Sequence, residues 1–216
     1  MKKITNFLLM TLLFVSTLIS TVGCSSGQIN VTYSPEITTG DVDDYTKYLG
    51  VEFNNLKSLS NSQGYENWYY YCGDPEDDTL SLMIFNDFFG RWCSRYQSMY
   101  YFSYIWDNSW LPENEQGLGI GMGFKAPATG KIHVVTRVKL LAEPQFNTGD
   151  GVVLTISDKR GDPYDGVSIA PEDGDKEFVL ENTIDIKMGE EVLFMLFPNS
   201  SNQNDYTSVD ITINYE

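Results

Sequence analysis

The 216 residues are 42% hydrophobic and 14% aromatic, enough for one well-packed core and unlike a disordered chain. Fourteen Lys and Arg stand against 30 Asp and Glu, a formal charge of −16, and a surface of that sign repels phosphate backbones, which argues against nucleic acid as a ligand. The single histidine, His133, leaves no material for His-rich zinc sites or for Ser-His-Asp and Cys-His nucleophiles.

Residues 1–23 carry Lys2 and Lys3, an apolar run from Phe7 to Ile19, then small residues and no acid, which is the pattern of a secretory signal. Thr21-Val22-Gly23-Cys24 resembles the bacterial lipobox, with Thr21 in place of the usual leucine, and implies lipidation at Cys24. Ordinary cleavage nearby, leaving Cys24 as a free thiol, is the alternative. Either way the chain is expected to be exported; with Cys24 lipidated, it would face the exterior and touch the membrane only through the lipid. Loss of residues 1–23 removes two lysines and no acid, leaving 12 basic against 30 acidic groups, a charge of −18. Residues 24–48 are rich in Ser, Thr, Gly and Asp and read as a tether, and residues 49–216 as a single domain. With Cys24 lipidated, Cys72 and Cys93 are expected to form one disulfide in an oxidising exterior, two buried thiols being the competing reading. No CxxC pair or zinc-type cysteine spacing occurs.

From residue 49 onward β signals dominate, with one helical turn near 51–60 as the exception considered. Trp68–Tyr71 alternate as a strand, and Trp68 and Tyr70 read as core. Residues 117–124 place Gly117, Gly119, Gly121 and Gly123 between apolar residues. This does not match GxGxxG, and Pro127 forbids the helix a nucleotide site needs. A bare strip of this kind lets rings from a neighbouring strand lie on the backbone, or lets a ligand approach it, and packing is the preferred explanation. Residues 130–140 put Ile132, Val134, Thr136, Val138 and Leu140 on one face. Residues 150–157 turn Val152, Leu154 and Ile156 inward, and residues 206–215 do so with Val209, Ile211, Ile213 and Tyr215. Residues 190–197 are apolar on both faces, as in a central strand preceded by a turn at Lys187-Met188-Gly189. Short strands between Asp/Gly/Pro/Asn clusters predict an all-β, antiparallel two-sheet β-sandwich of the jelly-roll kind.

The segment from Tyr65 to Trp110 holds all four tryptophans and eight tyrosines. Aromatic faces suit sugars, whose axial C–H groups present an apolar patch, while Asn, Asp and Arg bond the hydroxyls. The candidates for stacking are Trp92, Tyr96, Trp106 and Trp110, with Arg91, Arg95, Asp107 and Asn108 as polar partners. No carboxylate pair stands out for acid–base chemistry among so many acids. Calcium is the cofactor that Asp/Asn-rich sandwich loops would take, at Asp158 to Asp165 or Asn202 to Asp210, although neither has EF-hand spacing and solvated turns compete with that reading.

Five segments carry a resemblance. Gln63-Gly64-Tyr65-Glu66-Asn67-Trp68-Tyr69-Tyr70 resembles the QGxNNWYYG opening of β-sandwich modules attached to secreted bacterial glycan-degrading enzymes and surface proteins. The stretches from Phe124 to Ile132, Gly149 to Ile156, Lys187 to Phe194 and Asn204 to Thr207 resemble their W-x-AP-x-x-G-x-V, GDGVxVxI, VxKGDxIxF and NDxT segments in the same order. Phe124 stands where the pattern has tryptophan, Glu66 where it has asparagine and Glu190 where it has aspartate. The resemblance implies a carbohydrate-binding-module type of sandwich on a bacterial surface lipoprotein, an extracellular glycan as ligand, and no catalysis. Its motifs mark turns and strand starts, so no binding residue is carried over from them. The expected function is non-catalytic glycan binding to a polysaccharide or glycoconjugate by aromatic stacking. The alternatives are an adhesive lipoprotein docking a surface protein and, least favoured, a hydrolase or lyase, which needs paired carboxylates or a basic residue beside a tyrosine.

Overall fold

In the computed structural model, residues 43–77, 79–95, 103–113, 118–141, 149–201, 203 and 205–216 are described. The signal segment, Cys24, most of the tether and Tyr96 lie outside them. In chain order the strands are β1 (Glu52–Asn54), β2 (Trp68–Gly73), β3 (Ser81–Leu82), β4 (Ile84–Asn86), β5 (Arg91–Cys93), β6 (Tyr104–Trp106), β7 (Ser109–Leu111), β8 (Gly119–Lys125), β9 (Gly130–Leu140), β10 (Val152–Asp158), β11 (Pro163–Ile169), β12 (Phe178–Ile186), β13 (Glu191–Pro198) and β14 (Thr207–Tyr215). Two 3-10 turns, Tyr45–Tyr48 and Pro171–Asp173, are the helical elements among the described residues.

The strands form two antiparallel sheets. One has eight strands in the order β12-β9-β14-β7-β6-β5-β4, with β1 also on β14, and the other has six in the order β11-β10-β13-β8-β2-β3. The expected sandwich is therefore the fold. Its core is built by alternation: inward side chains of β9, β10 and β14, including Val134, Thr136, Leu154, Ile156, Ile211 and Ile213, are buried as their period-two pattern requires. β13 is flanked by β10 and β8, and from Val192 to Leu196 every residue is buried, which explains why both of its faces are apolar.

Four features refine the sequence reading. Residues 43–48, read as the end of the tether, pack on the domain: the Tyr48 ring lies 5.7 Å from that of Tyr215, and Thr129 N–H donates to Asp43 Oδ1 at 2.5 Å. The helical turn near 51–60 is confined to residues 54–58, where Ser58 N–H donates to the Asn54 carbonyl at 3.0 Å and the Asn54 side chain accepts from Leu56 and Lys57. The expected disulfide is absent, and Cys72 and Cys93 are buried free thiols. Cys72 shares the inner face of the six-stranded sheet with Trp68 and Tyr70, whereas in the eight-stranded sheet Trp92 points inward and Cys93 outward. Alternation thus turns the two sulfurs onto different faces of different sheets.

The glycine strip of β8 is packed, as preferred. Its bare face lies on the outer side of the six-stranded sheet, under Tyr71 from β2 and Leu193, Met195 and Phe197 from β13. A Cβ on Gly123 would stand 2.8 Å from both Leu193 and the Tyr71 ring, and one on Gly121 would collide with the Phe194 carbonyl oxygen. The Tyr71 ring crosses this strip so that its hydroxyl donates to Glu191 Oε2 at 2.5 Å, and Lys159 Nζ meets Glu191 Oε1 at 3.0 Å.

Candidate functional site

Two hairpins at one edge of the eight-stranded sheet assemble an exposed aromatic face. Asn86 closes the β4–β5 turn: its carbonyl accepts from Gly90 N–H at 2.8 Å, and its side-chain oxygen accepts from the Phe88 and Phe89 N–H groups at 3.0 and 3.2 Å. Both phenylalanines are thereby held out of the core, Phe88 at 89% and Phe89 at 49% exposure, with their rings edge-on at 4.9 Å. In the adjoining hairpin, β6 and β7 are joined by Asp107 and Asn108, with Asp107 at φ 53°, a conformation that Asp tolerates. The register pairs Trp92 with Ile105, so Arg91 and Trp106 come opposite each other at the same end as both turns.

Arg91 ties the two hairpins together. Its guanidinium carbon lies 4.0 Å from the Tyr104 ring centre and 4.9 Å from that of Phe89. Tyr206, which precedes β14, lies near Tyr104; burial is the largest cause raising the Tyr104 pKa, followed by Tyr206, while the Arg91 charge opposes the rise. Trp106 is 57% exposed beside Asp107 and Asn108, also exposed. This edge therefore presents apolar rings fixed by backbone turns and a cation, with amide and carboxylate groups next to them.

The eight sequence candidates separate. Arg91, Trp106, Asp107 and Asn108 converge on this edge. Trp92 and Trp110 do not: both point between the sheets and are buried. Trp92 stacks on Tyr70 at 4.3 Å and 14°, and its indole N–H donates to the Ser60 carbonyl at 2.8 Å. Burial first pushes Tyr70 up to about 12, against the hydrogen bonds from Ser60 and Trp92. Arg95 lies beyond the opposite end of β5, bonded to the Leu82 carbonyl at 2.6 Å. Tyr96 falls outside the described residues. Phe88, Phe89, Tyr104 and Tyr206 belong to the face and were missed. The available signal was the Asn86-Asp87-Phe88-Phe89-Gly90 stretch, whose turn residues force the rings between them to the surface.

Other constellations offer less. An open groove of about 580 Å³ at the far end of the same sheet is lined by Tyr45, Lys131, Asp185, Lys187 and Glu216 among others, and so has mixed charge and one ring. Tyr71 beside Lys159 (3.3 Å) has the composition of a lyase pair. Burial and then the Glu191 charge raise the Tyr71 pKa, the opposite of what a tyrosinate base requires.

Among the described residues no group of three or more His, Cys, Asp or Glu side chains gathers as a metal site. The loop from Asp158 to Asp165 does not suit calcium, because Asp158 is used by Arg160 at 2.6 Å and by the N–H groups of Arg160 and Asp162. In the loop from Asn202 to Asp210, Asp205 stands apart. It is 1% exposed, and burial first, then Asp150, raise its pKa to about 7 against the Gly151 N–H.

No protein-family description matches the chain, and no curated protein matches it in sequence. Similar solved structures include the pika GITRL, with 9% identity, a TM-score of 0.30 and coverage of 68% of this chain and 96% of that one. A family 6 carbohydrate-binding module of LamC, a laminarinase of Zobellia galactanivorans, is 15% identical at a TM-score of 0.28, over 49% of this chain and 90% of that one. A family 35 carbohydrate-binding module from Clostridium thermocellum is 14% identical at a TM-score of 0.30, over 46% and 72%. These likenesses concern the β-sandwich alone.

Proposed function

We propose that the protein is a non-catalytic, surface-anchored glycan-binding lipoprotein whose binding face is the β4–β7 edge. The observation that carries this reading is the exposure of Trp106, Phe88 and Phe89 on adjacent hairpin tips of a fold that buries the other three tryptophans. Leaving such rings in water costs stability unless something covers them. A pyranose ring would stack on Trp106, while Asp107, Asn108 and Arg91 bond its hydroxyls. The signal segment and Cys24 support an exported, lipid-anchored location, which puts the face within reach of extracellular polysaccharide.

A second reading has one observation in its favour. Phe88, almost wholly exposed and beside Phe89, forms an apolar patch with few polar groups, as on a surface that docks a protein.

The test is an array of plant, host and cell-wall polysaccharides probed with the protein and with a folded Trp106→Ala variant. Glycan binding predicts capture by at least one polysaccharide class and at least a tenfold loss in the variant. Docking predicts no capture, with a cell-surface protein retained through Phe88 and Phe89.

A further inference from the structure

Gly149-Asp150-Gly151 and Asp205-Tyr206-Thr207, which fall within two of the segments that resemble known modules, come together although they are more than fifty residues apart. Asp205 Oδ1 accepts from Gly151 N–H at 3.2 Å, and Thr207 Oγ donates to the Asp205 carbonyl at 2.9 Å. From the other side, Asp150 Oδ2 accepts from Ser200 N–H at 3.1 Å and from the Ser200 hydroxyl, and the Asp150 carbonyl accepts from Asn199 Nδ2 at 2.7 Å. Residue 149 has no room for a side chain: a Cβ there would collide with Asp205 Oδ1 and stand 2.9 Å from the Gln203 carbonyl oxygen.

This arrangement leaves a specific deficit. The second oxygens, Asp150 Oδ1 and Asp205 Oδ2, are both shielded from solvent, and among the described residues neither has a hydrogen-bond donor. Asp205 accepts from the N–H of the residue next to Asp150, the Asp150 carboxyl group is near enough to raise the Asp205 pKa, and neither carboxyl group takes part in an ion pair among the described residues. Two neighbouring acceptor-only groups that each keep an unpaired oxygen out of water are costly unless a positive charge compensates them.

We propose that Asp150 and Asp205 hold a divalent cation of the calcium class through Asp150 Oδ1 and Asp205 Oδ2, with the Gln203 carbonyl as a further oxygen ligand. The donor set is all oxygen, which favours calcium over zinc or copper. Two carboxylates with backbone oxygen and water are an ordinary calcium complement, so a third acidic side chain is not required. The rival occupant is a single proton shared by the pair. The site stands independently of the glycan reading, but it bears on it: Tyr206, the next residue after Asp205, lies near Tyr104 in the aromatic face.

The experiment uses full-length protein stripped with EDTA. Calcium binding is measured by equilibrium dialysis, and the thermal midpoint is read with and without calcium at about 1 mM, the range of extracellular sites. The expected result is one tightly retained calcium and a midpoint raised by several degrees, with both effects lost in Asp205→Asn and Asp150→Asn. If a variant does not fold, dialysis of the parent alone still decides, because a parent that retains no calcium overturns the proposal. It is also overturned if the variants respond to calcium as the parent does, or if calcium has no effect and Asp205→Asn is more stable, as a proton-sharing pair would be. None of these readings depends on a glycan.

Discussion

Trp92 and Trp106 are fourteen residues apart in one aromatic-rich segment and have opposite roles. Trp92→Ala removes a ring stacked on Tyr70 between the sheets and is expected to cost about 3–5 kcal/mol in urea unfolding, whereas Trp106→Ala on the exposed tip stays within about 0.5 kcal/mol of the parent. The sequence placed both in one candidate list because aromatic composition does not reveal which way a strand faces. One residue of register decides that, and in β5 and β6 the strands are only three residues long, too short for a visible alternation. A second residue-scale expectation concerns Asp158. Burial opposes its ionisation, but the Arg160 guanidinium and the N–H groups of Arg160 and Asp162 outweigh burial and hold its carboxyl below the usual 3.8. Because the folded value is the lower one, this contribution is present above the unfolded value and is lost as pH falls through the folded value. Acid titration of stability below about pH 4 should therefore be shallower in Asp158→Asn, by at most about 1 kcal/mol because Arg160 is exposed.

At the scale of elements, the long strands were legible and the short ones were not. β9, β10, β13 and β14 each run for seven residues or more, so the inward sets of β9, β10 and β14 showed as period-two patterns and β13 as a run apolar on both faces, and β8 showed as a glycine repeat. β12, equally long, escaped because the inward residues of its first half are only half-buried and Asn182 interrupts the apolar set of Phe178, Leu180, Ile184 and Ile186. The resembling segments proved to be local devices. Gln63, for example, is buried and ties β2 to the β3–β4 link, its side chain bonding Tyr70 N–H at 2.8 Å and the Tyr70 and Met83 carbonyls. The β8 strip makes a sharp prediction: Gly121→Ala should destabilise by about 1–3 kcal/mol in thermal or urea unfolding, since the methyl group meets the backbone of β13 rather than a side chain that can move. The cysteines were misjudged because compartment and count suggest a pair, while only the sheet geometry shows that their side chains point apart. Both thiols should react with a thiol reagent only on unfolding, and reductant should leave the midpoint unchanged.

For the molecule as a whole, the sandwich sets its two sheets to different tasks. The outer face of the six-stranded sheet closes over its own glycine strip with Tyr71, Leu193 and Met195, all buried. The eight-stranded sheet instead ends in two hairpins whose turns hold rings outward. The acidic net charge favours solubility and leaves recognition to stacking and hydrogen bonds rather than to long-range attraction of anions. Because Trp106 is the one exposed indole of the four, the emission of the protein is a direct reporter of what covers this face. The decisive measurement is tryptophan fluorescence during titration with the polysaccharide captured on the array. The account predicts a saturable change in emission that is absent in Trp106→Phe and weakened at least tenfold by removing Phe88 and Phe89. A polysaccharide that binds with the same affinity to the parent and to all these variants would contradict it and place the glycan site elsewhere on the sandwich.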